Sequence, residues 1–265
     1  MQDLFSIKGK TALITGGSRG IGEMIAAGFL EAGAKVYISS RKANACDAAV
    51  ARLTERFGGE CIAIPADLST VEGATHLAAT LGKHEGQLDI LVNNAGASWG
   101  APLDEFPENG WDKVMDTNVK GVFFLTQKCL PLLKASASHE DPARVINIGS
   151  VDGIKTAIFD TFSYGASKAA VHHLTRQLAA HMVKDNIIVN AIAPGPFPTW
   201  MLSTGVGFGG ETDGVDWDQV GKRNPRGRVG TMEDIAGLAI FLSSRAGAFT
   251  VGETITCDGG QIASS

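Results

Sequence analysis

Tyr164 and Lys168, in the stretch YGASK, stand four residues apart, a spacing that puts a phenol and an ammonium on one face of a helix. A phenol titrates near ~10 in water, too high for efficient proton transfer at neutral pH, and an adjacent cation lowers that value. The pair reads as a general acid–base centre. The only other tyrosine, Tyr37, lies mid-strand and reads as core. A second signal is TGGSRGIG, residues 15–22, in which Gly16, Gly20 and Gly22 run G-x-x-x-G-x-G rather than G-x-G-x-x-G. A strand before it and a helix after it make this turn a phosphate cradle, because glycines let backbone N–H groups approach a pyrophosphate at a helix N-terminus. The next strand ends in ISSRK, with Ser39, Ser40, Arg41 and Lys42 and no acid before Asp47. A carboxylate there would bind a ribose 2′-OH, whereas Arg41 pairs with a 2′-phosphate and Arg19 adds a second charge. These residues select NADP(H).

The elements that must hold these residues alternate. TALIT (11–15), KVYISS (35–40), CIAIPA (61–66), DILVNN (89–94), RVINIGS (144–150), IIVNAIA (187–193) and TITCDGG (254–260) read as strands. Helical periods lie near 19–32, 43–57, 70–84, 111–134, 162–184 and 231–244. Nearly continuous apolar strands, each followed by a helix, predict a parallel sheet of about seven strands covered on both faces. Right-handed crossovers make it a single-domain, Rossmann-like α/β doubly wound sheet over 1–265, with ligands at the carboxyl ends of its strands. Residues 195–230 break the rhythm with prolines, Trp200, Phe208, Trp217 and a cluster of glycines from Gly205 to Gly214. A loop this long after a strand end reads as a substrate lid, and its glycine cluster is expected to be weakly ordered without ligand.

Composition narrows the classes. The net charge of −5 and the lack of a long basic run argue against nucleic acid as a partner. No stretch of 18 or more apolar residues suggests a membrane span, and the first ten residues lack the apolar core of a secretory signal. Cys46, Cys61, Cys129 and Cys257 lie far apart without a CxxC pair and read as free thiols in the cytoplasm. The six histidines show neither HxxxH nor HExxH, and adjacent His172 and His173 point apart on a helix, so no metal is expected.

Taken in order, TGGSRGIG, NNAG (93–96), Asn118, Ser150, YGASK and PGPFPT (194–199) resemble the short-chain dehydrogenase/reductase family over almost the whole chain. Within it, SWGAPL and SASHEDPARVINIGS are similar to bacterial NADPH-dependent β-ketoacyl reductases of the rhamnolipid-associated branch. The resemblance implies that Tyr164 is the general acid that protonates a carbonyl oxygen as hydride arrives from the nicotinamide. Lys168 would lower the tyrosine pKa and bind the nicotinamide ribose, Ser150 would hold the carbonyl, and Asn118 would anchor a relay water. It also implies cofactor contacts from Gly16, Ser18, Arg19, Gly20 and Ile21 at the pyrophosphate turn, from Arg41, and from Asp67 and Leu68 near the adenine. Asn93 would lie where the adenosine ribose packs and Thr199 would touch the carboxamide, with Ala95, Gly96, Pro194, Gly195 and Phe197 also contacting the cofactor. The family commonly forms homotetramers through the helices at 111–134 and 162–184 and the last strand.

The leading expectation is an NADPH-dependent reductase of a 3-oxoacyl thioester, in fatty acid metabolism. The alternative is a dehydrogenase of a sugar, polyol or other small alcohol. Trp99, Phe159, Phe197, Trp200 and Met201 favour an apolar substrate, and Asp152, acidic where many relatives carry a small residue, favours a hydroxylated one. A redox-inactive NADP-binding sensor is the reading from another class, and the intact Ser150, Tyr164 and Lys168 set argues against it.

Overall fold

Alternation along each strand builds two cores at once. Ala12 and Ile14 of β1 (Thr11–Thr15), Val36 and Ile38 of β2 (Lys35–Ser39) and Ile90 and Val92 of β4 (Ile90–Asn93) point to one face. Leu13, Tyr37 and Leu91 point to the other. Both faces are apolar, as a parallel sheet between helical layers requires. β3 (Cys61–Ala63), β5 (Ala143–Ile148), β6 (Ile187–Pro194) and β7 (Thr254–Cys257) complete a seven-stranded, all-parallel sheet of order β3-β2-β1-β4-β5-β6-β7. The computed structural model describes residues 3–157, 159–204 and 215–264. The glycine cluster 205–214, on which the lid expectation centres, lies outside the described residues.

Helices α1 (Gly20–Glu31) and α2 (Ala43–Phe57) bury Ile25, Ala49 and Leu53 on the first face, together with Ile235 of α9 (Met232–Ser243). On the opposite face lie α3 (Val71–His84), α5 (Gly121–Ser136) and α6 (Phe162–Met182), with Leu77, Leu125 and Met182 inward. α4 (Glu108–Met115) leads into α5, while α7 (Trp200–Thr204) and α8 (Trp217–Lys222) lie in the 195–230 segment. The helix expected over 111–134 therefore starts earlier and is interrupted by a π turn over Asp116–Lys120.

Helix α1 sits close to α9 because Gly28 faces Ala236, whose Cβ would collide with any side chain at position 28. Gly28→Val is expected to cost about 1–3 kcal/mol by overpacking, seen as a drop in thermal midpoint of roughly 2–10 °C. Gly237 on the same α9 meets nothing within 4 Å of an added Cβ, so Gly237→Ala should raise the midpoint through helix propensity. Equal midpoints for the two variants would refute the close-approach argument.

Connections out from β1 run to β2 and β3 on one side and to β4 through β7 on the other. The order reverses between β1 and β4, and the crevice above their carboxyl ends is where a doubly wound sheet binds ligands.

Candidate active site

Thr15 closes β1, and its hydroxyl accepts the N–H groups of Asn94 and Ala95, each at 2.9 Å, from the far side of that crevice. The Asn94 amide in turn donates to the Thr15 carbonyl at 2.8 Å and the Gly16 carbonyl at 3.3 Å. Gly16 and Gly20 have φ of 65° and 60°, the left-handed region that glycine occupies without strain. A Cβ at Gly16 would stand 2.6 Å from the Asn94 amide nitrogen, and one at Gly20 would stand 3.3 Å from Thr199 Cγ2. The turn therefore has bare backbone on both flanks. Helix α1 begins at Gly20 with Arg19 as its N-cap, and no side chain caps it. Its first N–H groups lack intrahelical partners, which suits an anion. Arg52 reaches across from α2 to the Ser18 carbonyl (3.4 Å) and to Glu23 (2.9 Å), bracing the turn.

Arg19 places its guanidinium 4.3 Å from the ring centroid of Trp200. Ile21 packs its side chain against the core. On the other side of the turn Ser39 is buried, Ser40 contacts the Cys46 sulfur at 2.9 Å, and Arg41 and Lys42 are exposed at the start of α2. The first turn of α2 carries no acidic residue, so its N-terminus and Arg41 together present an unopposed positive field. These residues fit a phosphorylated ribose.

The remaining cofactor positions divide. Asp67 is exposed and accepts the Ser69 N–H and hydroxyl on one oxygen, at 3.0 and 2.8 Å, while Leu68 is buried. Asn93 turns inward and donates to Thr126 and Asn147 at 3.0 and 2.9 Å, so its side chain is spent inside the fold. The neighbour, Asn94, faces the glycine turn. Pro194 is buried at the end of β6, and a Cβ at Gly195 would come 2.8 Å from Asp258 Cα. Phe197 is core, 2% exposed, with its ring under Gly230. Phe197 and Asn93 can face a ligand through backbone alone.

Gly96 ties the crevice to the acid–base residues, because a Cβ there would lie 3.4 Å from Asn118 Oδ1 and 3.9 Å from Lys168 Nζ. Asn118 sits in the π turn, a deviation frequent at functional sites. Its side chain accepts the Ala97 N–H (2.7 Å) and donates to the Ala97 carbonyl and the Ser167 hydroxyl (both 2.9 Å). Ser167 donates to the Tyr164 carbonyl at 2.7 Å, so Asn118 links the loop after β4 to α6. Lys168, 5% exposed, donates to the Ile148 carbonyl at 2.7 Å and stands 5.5 Å from the Tyr164 ring centroid. Ser150 follows β5 and accepts the Asp152 N–H at 3.1 Å.

The electrostatics correct one expectation. Burial pushes the Tyr164 phenol up to about 12, Asp152 adds to the rise, and a hydrogen bond with Ser150 opposes both. Burial also brings the Lys168 ammonium down to about 8, and its proton is directed at Ile148. Burial also raises the Asp152 carboxyl, with Lys155 opposing.

Of the expected substrate contacts, Trp99 packs its ring on α4, where a Cβ at Gly110 would approach to 2.8 Å and Lys113 lies over the ring at 5.1 Å. Trp200 is exposed, and Phe159 and Met201 are half-buried. Sequence reading overlooked Thr15, Asn94 and a hollow of about 320 Å³ lined by Leu103, Phe106, Pro107, Glu108, Trp111 and Phe162. His172, read in the sequence only as one of two adjacent histidines, is 5% exposed and accepts the Ser150 N–H on Nε2 at 3.4 Å. Among the described residues no group of three His, Cys, Asp or Glu could hold a metal, and no helix is long and apolar enough to cross a membrane.

A family model described as enoyl-(acyl carrier protein) reductase matches residues 16–261. The rhamnolipids biosynthesis 3-oxoacyl-(acyl-carrier-protein) reductase of Pseudomonas aeruginosa is 51% identical over 260 residues, covering 98% of this chain and 99% of that protein. Gluconate 5-dehydrogenase of Gluconobacter oxydans is 37% identical over 261 residues, covering 97% and 96%. Among solved structures, the Pseudomonas aeruginosa RhlG/NADP active-site complex superposes with a TM-score of 0.90 at 50% identity, over 98% of this chain and 99% of that one.

Proposed function

The chain belongs to the short-chain dehydrogenase/reductase family, and from that premise we propose that it reduces a 3-oxoacyl thioester to the 3-hydroxyacyl product with NADPH. What carries the reading is that Ser150, just after β5, meets Tyr164 and Lys168 of α6 at the carboxyl end of the sheet, whose β1 end carries a glycine turn that fits a pyrophosphate. NADPH, when bound, supplies the hydride. The turn and Arg41 would hold its phosphates, with Arg19 and Ser18 beside them, and Thr199 lies against Gly20 of the turn. Ser150 donates a hydrogen bond to the substrate carbonyl oxygen, and Tyr164 delivers its proton there, completing the alcohol. Lys168 holds the ribose. Asn118, whose side-chain amide is committed to Ala97 and Ser167, would anchor the relay water.

Following NADPH absorbance with acetoacetyl-CoA, L-sorbose and 5-ketogluconate tests this. Turnover of the thioester above both sugars is expected, and turnover of the sugars alone would move the reading to the dehydrogenases of small alcohols. Arg41→Asp should weaken NADPH by about tenfold to a hundredfold, the worth of one charge-assisted contact, and leave NADH unchanged or improved. A wild-type enzyme that prefers NADH would sink the cofactor assignment.

The lid reading of 195–230 keeps support from Thr199 and Trp200, which cover the glycine turn. Four free thiols, three of them buried, support a reducing compartment, and the cytoplasm is the one proposed. The homotetramer is proposed on the exposed apolar side chains of α4, α5 and α6, among them Trp111 at 41%, Phe123 at 37% and Phe162 at 40%. Light scattering should return four chains for the wild type and fewer for Trp111→Glu.

A further inference from the structure

Gly149 and Gly153 bracket the Ser150 turn, and neither has the positive φ that would call for glycine. Space is the reason at both. The three atoms nearest an added Cβ at Gly149 all belong to the His172 imidazole. At Gly153 the α6 backbone comes first, with Lys168 C at 2.6 Å, and His172 Cε1 follows at 2.8 Å. The ring is thus inserted into the turn that carries Ser150, accepting the Ser150 N–H on Nε2 at 3.4 Å. Gly153 also lies against the ring, where its backbone opposes the fall in the imidazole pKa.

From this geometry we propose that His172 is the positioning residue of Ser150, its neutral imidazole fixing the Gly149–Ser150 peptide and so the place of the Ser150 hydroxyl. The ring bonds one end of the turn and packs against the other, so the hydroxyl inherits its position from α6 rather than from a free strand end. Burial and the Lys168 and Arg176 charges on the same helix keep the imidazole uncharged, which Nε2 must be in order to accept. The same helix carries Tyr164, so proton donor and carbonyl holder share one rigid frame. A displacement of about 1 Å in such a frame can cost up to about 100-fold in rate.

This inference rests on the proposed role of Ser150, and the test separates the two. His172→Leu fills the slot without an acceptor, and His172→Gln returns one near the Nε2 position. In the full-length protein saturated with NADP⁺, the ¹⁵N-resolved Ser150 amide resonance should move in the Leu variant and return in the Gln variant. NADP⁺ affinity should stay within about twofold in both, since the ring does not line the phosphate turn. With acetoacetyl-CoA, kcat should fall by about tenfold to a hundredfold in His172→Leu, recover in His172→Gln, and show no further loss when His172→Leu is added to Ser150→Ala. An unmoved Ser150 amide, or a multiplied loss in the Ser150→Ala background, would overturn the proposal. Wild-type turnover by Ser150→Ala would refute the Ser150 role instead, leaving the resonance to decide whether His172 places the peptide. Should the Leu variant not fold, His172→Asn takes its place, because its carbonyl ends short of the Nε2 position. Equal Ser150 resonances for the Asn and Gln variants would then count against the proposal.

Discussion

Tyr164→Phe is expected to lower turnover about 10²- to 10⁴-fold, the worth of a positioned general acid, while NADPH still binds. Phenylalanine keeps the ring that stands 5.5 Å from the Lys168 ammonium, and removes only the hydroxyl that bonds with Ser150. The phenol is pushed up to about 12 by burial, so it keeps its proton through any ordinary assay range, which is the form reduction needs. Oxidation of the alcohol needs the phenolate, a small fraction at neutral pH that grows about tenfold with each pH step below that value. Oxidation by the wild type should therefore climb steadily toward alkaline pH, and the Phe variant should lack that climb. Stopped-flow hydride transfer in both directions would measure this. A Phe variant within tenfold of the wild type would remove Tyr164 from the chemistry.

The parts of this protein that declare themselves in sequence are those set by local pattern. Strand alternation in TALIT and DILVN states which residues share a face, and the TGGSRGIG turn states where β1 ends and α1 begins. The π turn does not show, since an extra residue within an apolar helix shifts the register without changing composition, and the helix over 111–134 reads as continuous. NNAG hides which asparagine matters for a related reason. At the strand end Asn93 points in toward Thr126 and Asn147, while Asn94 reaches the glycine turn. Burial is the other blind spot. YGASK places a cation near a phenol but says nothing of solvent, and desolvation reverses the expected direction for Tyr164. His172 was legible only as one of two adjacent histidines, because its partners Gly149 and Gly153 arrive from a distant turn.

Lys168→Met should damage binding and chemistry together, with a rate loss on the order of 10²-fold or more. Methionine fills the same slot at similar length, so the loss reports the ammonium and not a cavity. The side chain is 5% exposed, and Nζ donates to the Ile148 carbonyl at 2.7 Å within reach of Gly96, the rim of the crevice. Removing it leaves that carbonyl without this donor and takes the Lys168 positive charge from beside the phenol. The sign of the pH dependence follows from burial. A lysine lowered to about 8 is charged below that pH and neutral above it, so reduction that relies on the ammonium declines as pH rises through about 8. The Met variant has no such proton and should show a flat, low profile across the same range. Lys168→Arg keeps a charge at every pH, but a planar guanidinium does not fit a slot cut for a single ammonium, so its rate should be low and its profile flat. A wild-type reductase rate that stays level from pH 6 to pH 10 would show that the Lys168 charge does not take part.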